Sequence, residues 1–193
     1  MPEDAQLSDS DGVFLVKTAR MAVTEFLSNG KRMKLESERE KKFSFNSGVF
    51  VTLNNADGLR GCIGFPMPDK KLSNGIIDVA IAAATEDPRF SPVKINELSE
   101  IMFEVTVLTP PVEITVTDPM EYLEKIKVGR DGLIIRNSFS SGLLLPQVPV
   151  EYGWNVEEFL QHTCEKAGLE KDTWKNEKVK IEKFEGIVYK EET

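Results

Sequence analysis

Val49-Phe50-Val51-Thr52-Leu53 and Leu59-Arg60-Gly61-Cys62-Ile63-Gly64-Phe65, separated by Asn54-Asn55-Ala56-Asp57-Gly58, decide the fold class of this chain. Both flanks are rich in β-branched and aromatic residues and the spacer consists of turn formers, so the stretch predicts a β-hairpin whose second strand carries a cysteine. Pro66 and Pro68 end it. Downstream, Ile101, Phe103, Val105 and Val107 alternate with Met102, Glu104, Thr106 and Leu108 as a strand does, and Pro110-Pro111 closes that run. Arg130-Asp131-Gly132 reads as a turn into Leu133 to Arg136, Asn137 to Gly142 as a turn before Leu143-Leu144-Leu145, and Val179 to Tyr189 supplies one or two last strands.

Helices fall between these groups. Leu15, Ala19, Ala22, Val23, Phe26 and Leu27 recur at helical spacing, with Asp11 as the expected cap and Asn29-Gly30 as the stop. Leu72, Ile76, Val79, Ala80 and Ala83 form a second stripe, whose alanines predict close packing on a sheet. Asn155-Val156-Glu157-Glu158 opens a third helix that ends at Gly168, and Asp118-Pro119-Met120-Glu121 has the form of another helix start. Lys31 to Lys42 interleaves both charge signs and reads as an exposed connector, while Pro146-Gln147-Val148-Pro149 is expected to leave regular structure. Strands come in hairpin-like groups rather than in strict β-α alternation, which favours an α+β fold with a mostly antiparallel sheet and several packed helices.

The chain has 193 residues, 40% of them hydrophobic, enough for one domain with a real core. The reading takes residues 13–189 as that domain and residues 1–12 as an acidic tail. With 24 Lys and Arg against 32 Asp and Glu, the net charge of -8 disfavours nucleic acid and anionic membranes as partners. The longest mostly apolar run, Ile76 to Ala84, is interrupted by Asp78 and is too short to span a bilayer, and the N-terminus has no signal-peptide core, so a cytoplasmic location is expected. Cys62 and Cys164 share no C-x-x-C spacing and are expected to be free thiols.

Chemistry concentrates at Cys62. In an extended strand Arg60 and Cys62 project from one face about 7 Å apart, so a guanidinium beside the thiol would favour thiolate. Gly61 and Gly64 are expected to keep the ground around the sulfur open. A small cysteine packed in a tight hairpin is the alternative. Glu86, Asp87 and Arg89 lie in the loop Thr85 to Pro92, stiffened by Pro88 and Pro92, where an acid pair suits general base work, a hard cation or an ion pair that pins the loop. Cys164 lies on the apolar stripe of its helix and reads as a small hydrophobe. His162, the single histidine, falls off that stripe, and no G-x-S-x-G elbow accompanies it. No standard metal-loop spacing and no glycine-rich phosphate loop occurs, so no metal site is expected and the residues name no cofactor.

The residues also carry a resemblance. The hexapeptide Leu59 to Gly64, with the blocks Gly48 to Leu53, Glu86 to Phe90, Phe103 to Leu108, Gly129 to Leu133, Gly142 to Val148 and Lys166 to Leu169, resembles the AMMECR family, in the family's order and over about Val13 to Tyr189. That family is named for a chromosomal region linked to Alport syndrome, midface hypoplasia and elliptocytosis. The resemblance implies one compact α+β domain with a larger and a smaller lobe and signature residues at a cleft, and adds Gln147 to the binding residues. By analogy only, it implies a pathway link to Memo-like or radical-SAM proteins. It supplies no settled reaction. Together these readings make Cys62, Glu86 and Asp87 the candidate catalytic residues and Arg60, Gly61, Gly64, Arg89 and Gln147 the candidate binding residues. The expected activity is thiol-dependent chemistry on a small electrophilic substrate; the alternative is a non-catalytic module that binds a protein or an anionic ligand.

Overall fold

Along Val49–Asn55 (β1) the side chains at 49, 51 and 53 are buried and those between them half-exposed, the period of two required of a strand with one covered face. The structure, a computed structural model, describes residues 7–176 and 179–191. They fall into two units: residues up to Leu108 together with the chain from Ile187 onward, which is the larger, and Thr109–Gly186. In the first unit β1 pairs antiparallel with Gly58–Phe65 (β2) on one side and Met102–Leu108 (β3) on the other. Val51, Leu53, Phe103 and Val105 from this sheet are buried in one core with Leu15, Ala19 and Val23 of Asp9–Asn29 (α1). Leu72, Ile76 and Ala80 of Leu72–Thr85 (α3) complete it, each large aliphatic side chain contributing about 1.5–3 kcal/mol.

The start of α1 differs from the expected one. Ser8 is the N-cap and Asp11 lies three residues inside, its carboxylate accepting the Ser8 N–H at 3.2 Å while the Ser8 hydroxyl accepts the Asp11 N–H at 3.3 Å. Asp9 to Gly12, expected in the tail, are therefore helical, and residues 1–6 lie outside the described residues. The connector Lys31 to Lys42 contains a short helix, Ser37–Lys42 (α2), that buries no side chain of its own and so leaves no apolar period to read. Phe43 follows it into the core and stacks on Phe14 with ring centroids 5.4 Å apart.

The chain end is fastened to the same unit. Arg20 donates to the carbonyls of Leu98 (2.9 Å) and Ile101 (2.5 Å) and pairs with Glu191, which also accepts the Phe103 N–H at 3.0 Å. Burial opposes ionisation of Glu191, but Arg20 and the Phe103 N–H outweigh it and hold its carboxyl below the ordinary value. Arg20→Met, which strands a carboxylate and two carbonyls, is expected to cost about 2–4 kcal/mol, read as a lower urea midpoint. An unchanged midpoint would show that the clamp is decorative.

In the second unit Asp131–Arg136 (β5) lies between Ser141–Leu144 (β6) and the first part of Lys180–Lys190 (β7), whose residues from Ile187 belong to the first unit, and Val112–Glu113 (β4) pairs with β7, all antiparallel. The α+β class with antiparallel pairing is the expected one. Leu133 and Ile135 of β5 pack with Tyr122 of Tyr122–Lys125 (α4), with Phe159 and Leu160 of Val156–Lys166 (α6), and with Trp174. Asn155 and Glu158 form the capping box expected of α6. Pro146 to Pro149 do not leave regular structure: Gln147–Tyr152 is a helix (α5). Pro149 is tolerated because it sits in the first turn, where its missing N–H would have had no intrahelical partner. Among the described residues no helix is long and apolar enough to cross a membrane.

Candidate functional site

The register of β1 with its two neighbours fixes what surrounds the sulfur. Thr52 is opposite Cys62 on one side and Glu104 on the other, so the three side chains share the sheet face turned away from the core. The Thr52 hydroxyl donates to the Cys62 Sγ at 3.4 Å, and Glu104 pairs with Lys190 at 2.9 Å. Cys62 is half-buried and its thiol is free. This pairing contains an irregularity between Leu53 and Asn54, where the register slips by one residue. Without that bulge the sulfur would face Val51.

The backbone edge of β2 is covered by the loop after α3. The Cys62 N–H, directed away from β1, donates to Asp87 Oδ2 at 2.8 Å, and the Cys62 carbonyl accepts from Arg89 Nη2 at 3.4 Å. Asp87 in turn accepts from Arg89 Nε (3.0 Å), Nη2 (2.8 Å) and the Arg89 backbone N–H (3.1 Å). A carboxylate and a guanidinium thus stand in for the acceptor and donor of a neighbouring strand. The Arg89 guanidinium beside Asp87 holds its carboxyl far below the usual range; burial opposes this, and the Cys62 N–H adds to it.

These contacts redistribute the expected roles. Asp87 is only 5% exposed, ionised and committed on both oxygens, so it anchors Cys62 rather than relaying a proton. Glu86 is exposed at the C-cap of α3, with its backbone N–H bound to the Ala82 carbonyl. Arg60 turns away from the sulfur: its Nε and Nη2 reach Glu97 at 3.0 and 3.3 Å and its Nη1 reaches the Ser91 carbonyl at 2.9 Å. Glu97 is held below its ordinary pKa, first of all by Arg60. The guanidinium against Cys62 belongs to Arg89, whose own pKa is raised mainly by Asp87 and further by the charge of Cys62.

The two glycines do not keep open ground. Gly61 faces the core, where a Cβ would overlap the Ala83 carbonyl oxygen of α3, and Gly64 lies under the ring of Phe50, its cross-strand neighbour. Both admit a close approach by another group. Gln147 belongs to the second unit, where it is the exposed first residue of α5. His162, in that unit too, stacks on Trp154 at 3.9 Å between centroids and places Nδ1 2.7 Å from Glu165. Cys164 is fully buried, and burial pushes its thiol up to about 11, so it is inert. Thr52, Lys190 and Glu97 are additions that the sequence reading missed; the hairpin offers a signal for Thr52, but a regular register counted from the turn would place Val51 opposite Cys62. Among the described residues no three acids, cysteines or histidines gather as a metal-ligand set.

Comparison with known proteins agrees with this architecture. A protein of Pyrococcus abyssi is 48% identical over 193 residues, covering 97% of this chain and 94% of the relative. One of Methanocaldococcus jannaschii is 51% identical over 187 residues, covering 96% and 92%. The crystal structure of an uncharacterized protein from Pyrococcus horikoshii superposes with a TM-score of 0.78 at 48% identity, over 96% of this chain and 94% of that one. The family model described as AMMECR1 matches residues 16–189, nearly the whole of both units, and the chain belongs to the AMMECR1 family.

Proposed function

We propose that Cys62 is the nucleophile of a thiol-dependent reaction on a small electrophilic substrate. The observation that supports this most is the setting of the sulfur: half-buried, hydrogen-bonded by the Thr52 hydroxyl, and within the field of the Arg89 guanidinium. A hydroxyl donor and a cation beside a part-exposed sulfur are the surroundings in which cysteine nucleophiles are found. In the reaction the sulfur lone pair forms a bond to the electrophilic carbon, and the displaced pair passes to the substrate's own oxygen or leaving group. Negative charge formed there would be stabilised by Arg89. The reading places this chemistry in the cytosol, where free thiols stay reduced.

Labelling with iodoacetamide at neutral pH, in a Cys164→Ala background, tests the reading. Cys62 is expected to react in the native protein, and Thr52→Val and Arg89→Met are each expected to slow it by about three- to tenfold, the scale of one ordinary hydrogen bond. Native protein that resists the reagent until it is unfolded would end the proposal. A second reading, a binding surface without turnover, draws on one specific observation: Asp87, the acid bonded to the Cys62 N–H, is spent on Arg89 and on backbone. In a host lacking its own copy, Cys62→Ser restores function only if this second reading is right.

A further inference from the structure

We infer that the substrate of Cys62 carries an oxyanion, held in the depression beside Arg60. This rests on the reading of Cys62 as a nucleophile. The depression, about 440 Å³, is lined by Arg60, Phe90, Ser91, Lys94, Asn96 and Glu97, all in the first unit. Arg60 stands two residues before Cys62 on β2, at the bulge opposite Leu53 and Asn54, and Phe90 and Ser91 directly follow the Arg89 that touches the Cys62 carbonyl. The depression is thus built on the strand and the loop that also hold Cys62.

The charge balance there favours an anion. Arg60 and Glu97 neutralise each other, and both Glu97 oxygens are occupied: Oε2 by Arg60 Nε at 3.0 Å, and Oε1 by Arg60 Nη2 at 3.3 Å and the Lys94 N–H at 2.8 Å. Lys94 then leaves one positive charge without an ion-pair partner among the described residues. A guanidinium has five N–H donors, and the structure uses three of those on Arg60, so two remain for a ligand. The Ser91 hydroxyl and Asn96 amide likewise bond to no other described residue. Phe90 forms an apolar wall, with the Arg89 guanidinium 5.5 Å from its ring centroid. A neutral ligand would leave Lys94 and the spare Arg60 donors unused, and a cation would meet Lys94 head-on; a carboxylate or phosphate meets both requirements. Since the whole chain carries a net charge of -8, its general field repels anions, and any preference for one must come from this local arrangement.

Three bromoacetyl reagents test the inference on the full chain with Cys164→Ala: N-bromoacetyl-β-alanine, the phosphate ester of N-bromoacetyl-ethanolamine, and the uncharged N-bromoacetyl-propylamine. In each the Cys62 sulfur forms the S–C bond, bromide leaves with the C–Br electron pair, and the thiol proton passes to buffer. Rates are divided by those of N-acetylcysteine with the same reagent. At least one anionic reagent is expected to exceed the neutral one by about tenfold, the scale of a charge-assisted hydrogen bond, and which of the two gains more identifies carboxylate or phosphate. Lys94→Gln is expected to bring that ratio down severalfold. If the neutral reagent labels Cys62 well and neither anionic one gains, or if Lys94→Gln leaves the ratio as it was, the oxyanion inference is wrong while the nucleophile stands. If none of the three labels the native protein, the nucleophile reading itself fails.

Discussion

Gly61→Ala is expected to destabilise the first unit by about 3 kcal/mol, among the largest effects a single methyl can have. The added carbon would overlap the Ala83 carbonyl oxygen, a backbone atom in the last turn of α3 that has no rotamer by which to withdraw. Moving α3 outward would instead open gaps around Ile76, Ala80 and Ala83, all of them buried against the sheet. Gly64→Ala makes the informative comparison. The Cβ there would overlap both the ring of Phe50 and the Val49 carbonyl oxygen, so turning the ring aside does not clear it and a loss of similar size is expected at that position. Urea denaturation of both variants measures the two losses. Equal stability of Gly61→Ala and wild type would mean that α3 does not lie against β2 as described, and would return Gly61 to the candidate ligand-contacting residues.

The other large effect belongs to Asp87. Asp87→Ala removes the acceptor of the Cys62 N–H and the partner of Arg89 together, and a loss of about 2–4 kcal/mol follows from leaving a backbone donor and a guanidinium unmatched. The figure stays below that of a fully enclosed ion pair because the Arg89 side chain is 54% exposed and can turn to water. Asp87→Asn adds a pH signature. The folded-state pKa of Asp87 lies below its unfolded value of about 3.9, so its contribution is complete above that pH and fades as the pH falls toward the folded value. The stability difference between wild type and Asp87→Asn should therefore be constant from pH 7 to about 5 and shrink in more acid solution. The difference is the quantity to read, because Glu97 and Glu191 are depressed as well and make wild type acid-sensitive on their own account. If Asp87 were a proton carrier instead, Asp87→Asn would abolish activity and leave the urea midpoint in place.

Most of the regular elements were legible because burial imposes a period. The stripes of α1, α3 and α6 and the alternation in β3 follow from one covered face each, and the covered residues are the apolar ones. Elements that bury little left no such trace. α2 covers nothing, the 3-10 helix Ile95–Glu100 buries only Leu98, and α5 was hidden by a proline that suits its first turn. In the site, the Glu86 loop was legible as acids beside an arginine, and an ion pair between Asp87 and Arg89 was among its expected uses. What each charge does was not legible, since partners such as Glu97, 37 residues from Arg60 in the chain, are chosen by packing.

The residues alone determined that Cys62 stands on the second strand of a hairpin, two residues after Arg60, in an α+β chain of this family, because alternation and turn chemistry act over a few neighbours. Folding decided which guanidinium meets the Cys62 backbone and which hydroxyl faces the sulfur. A one-residue slip between Leu53 and Asn54 exchanges Val51 for Thr52 opposite Cys62, and the Asp87 bond to the strand edge brings Arg89 rather than Arg60 alongside. A bulge and a buried carboxylate are settled by what packs around them, and that information is spread over residues distant in the chain.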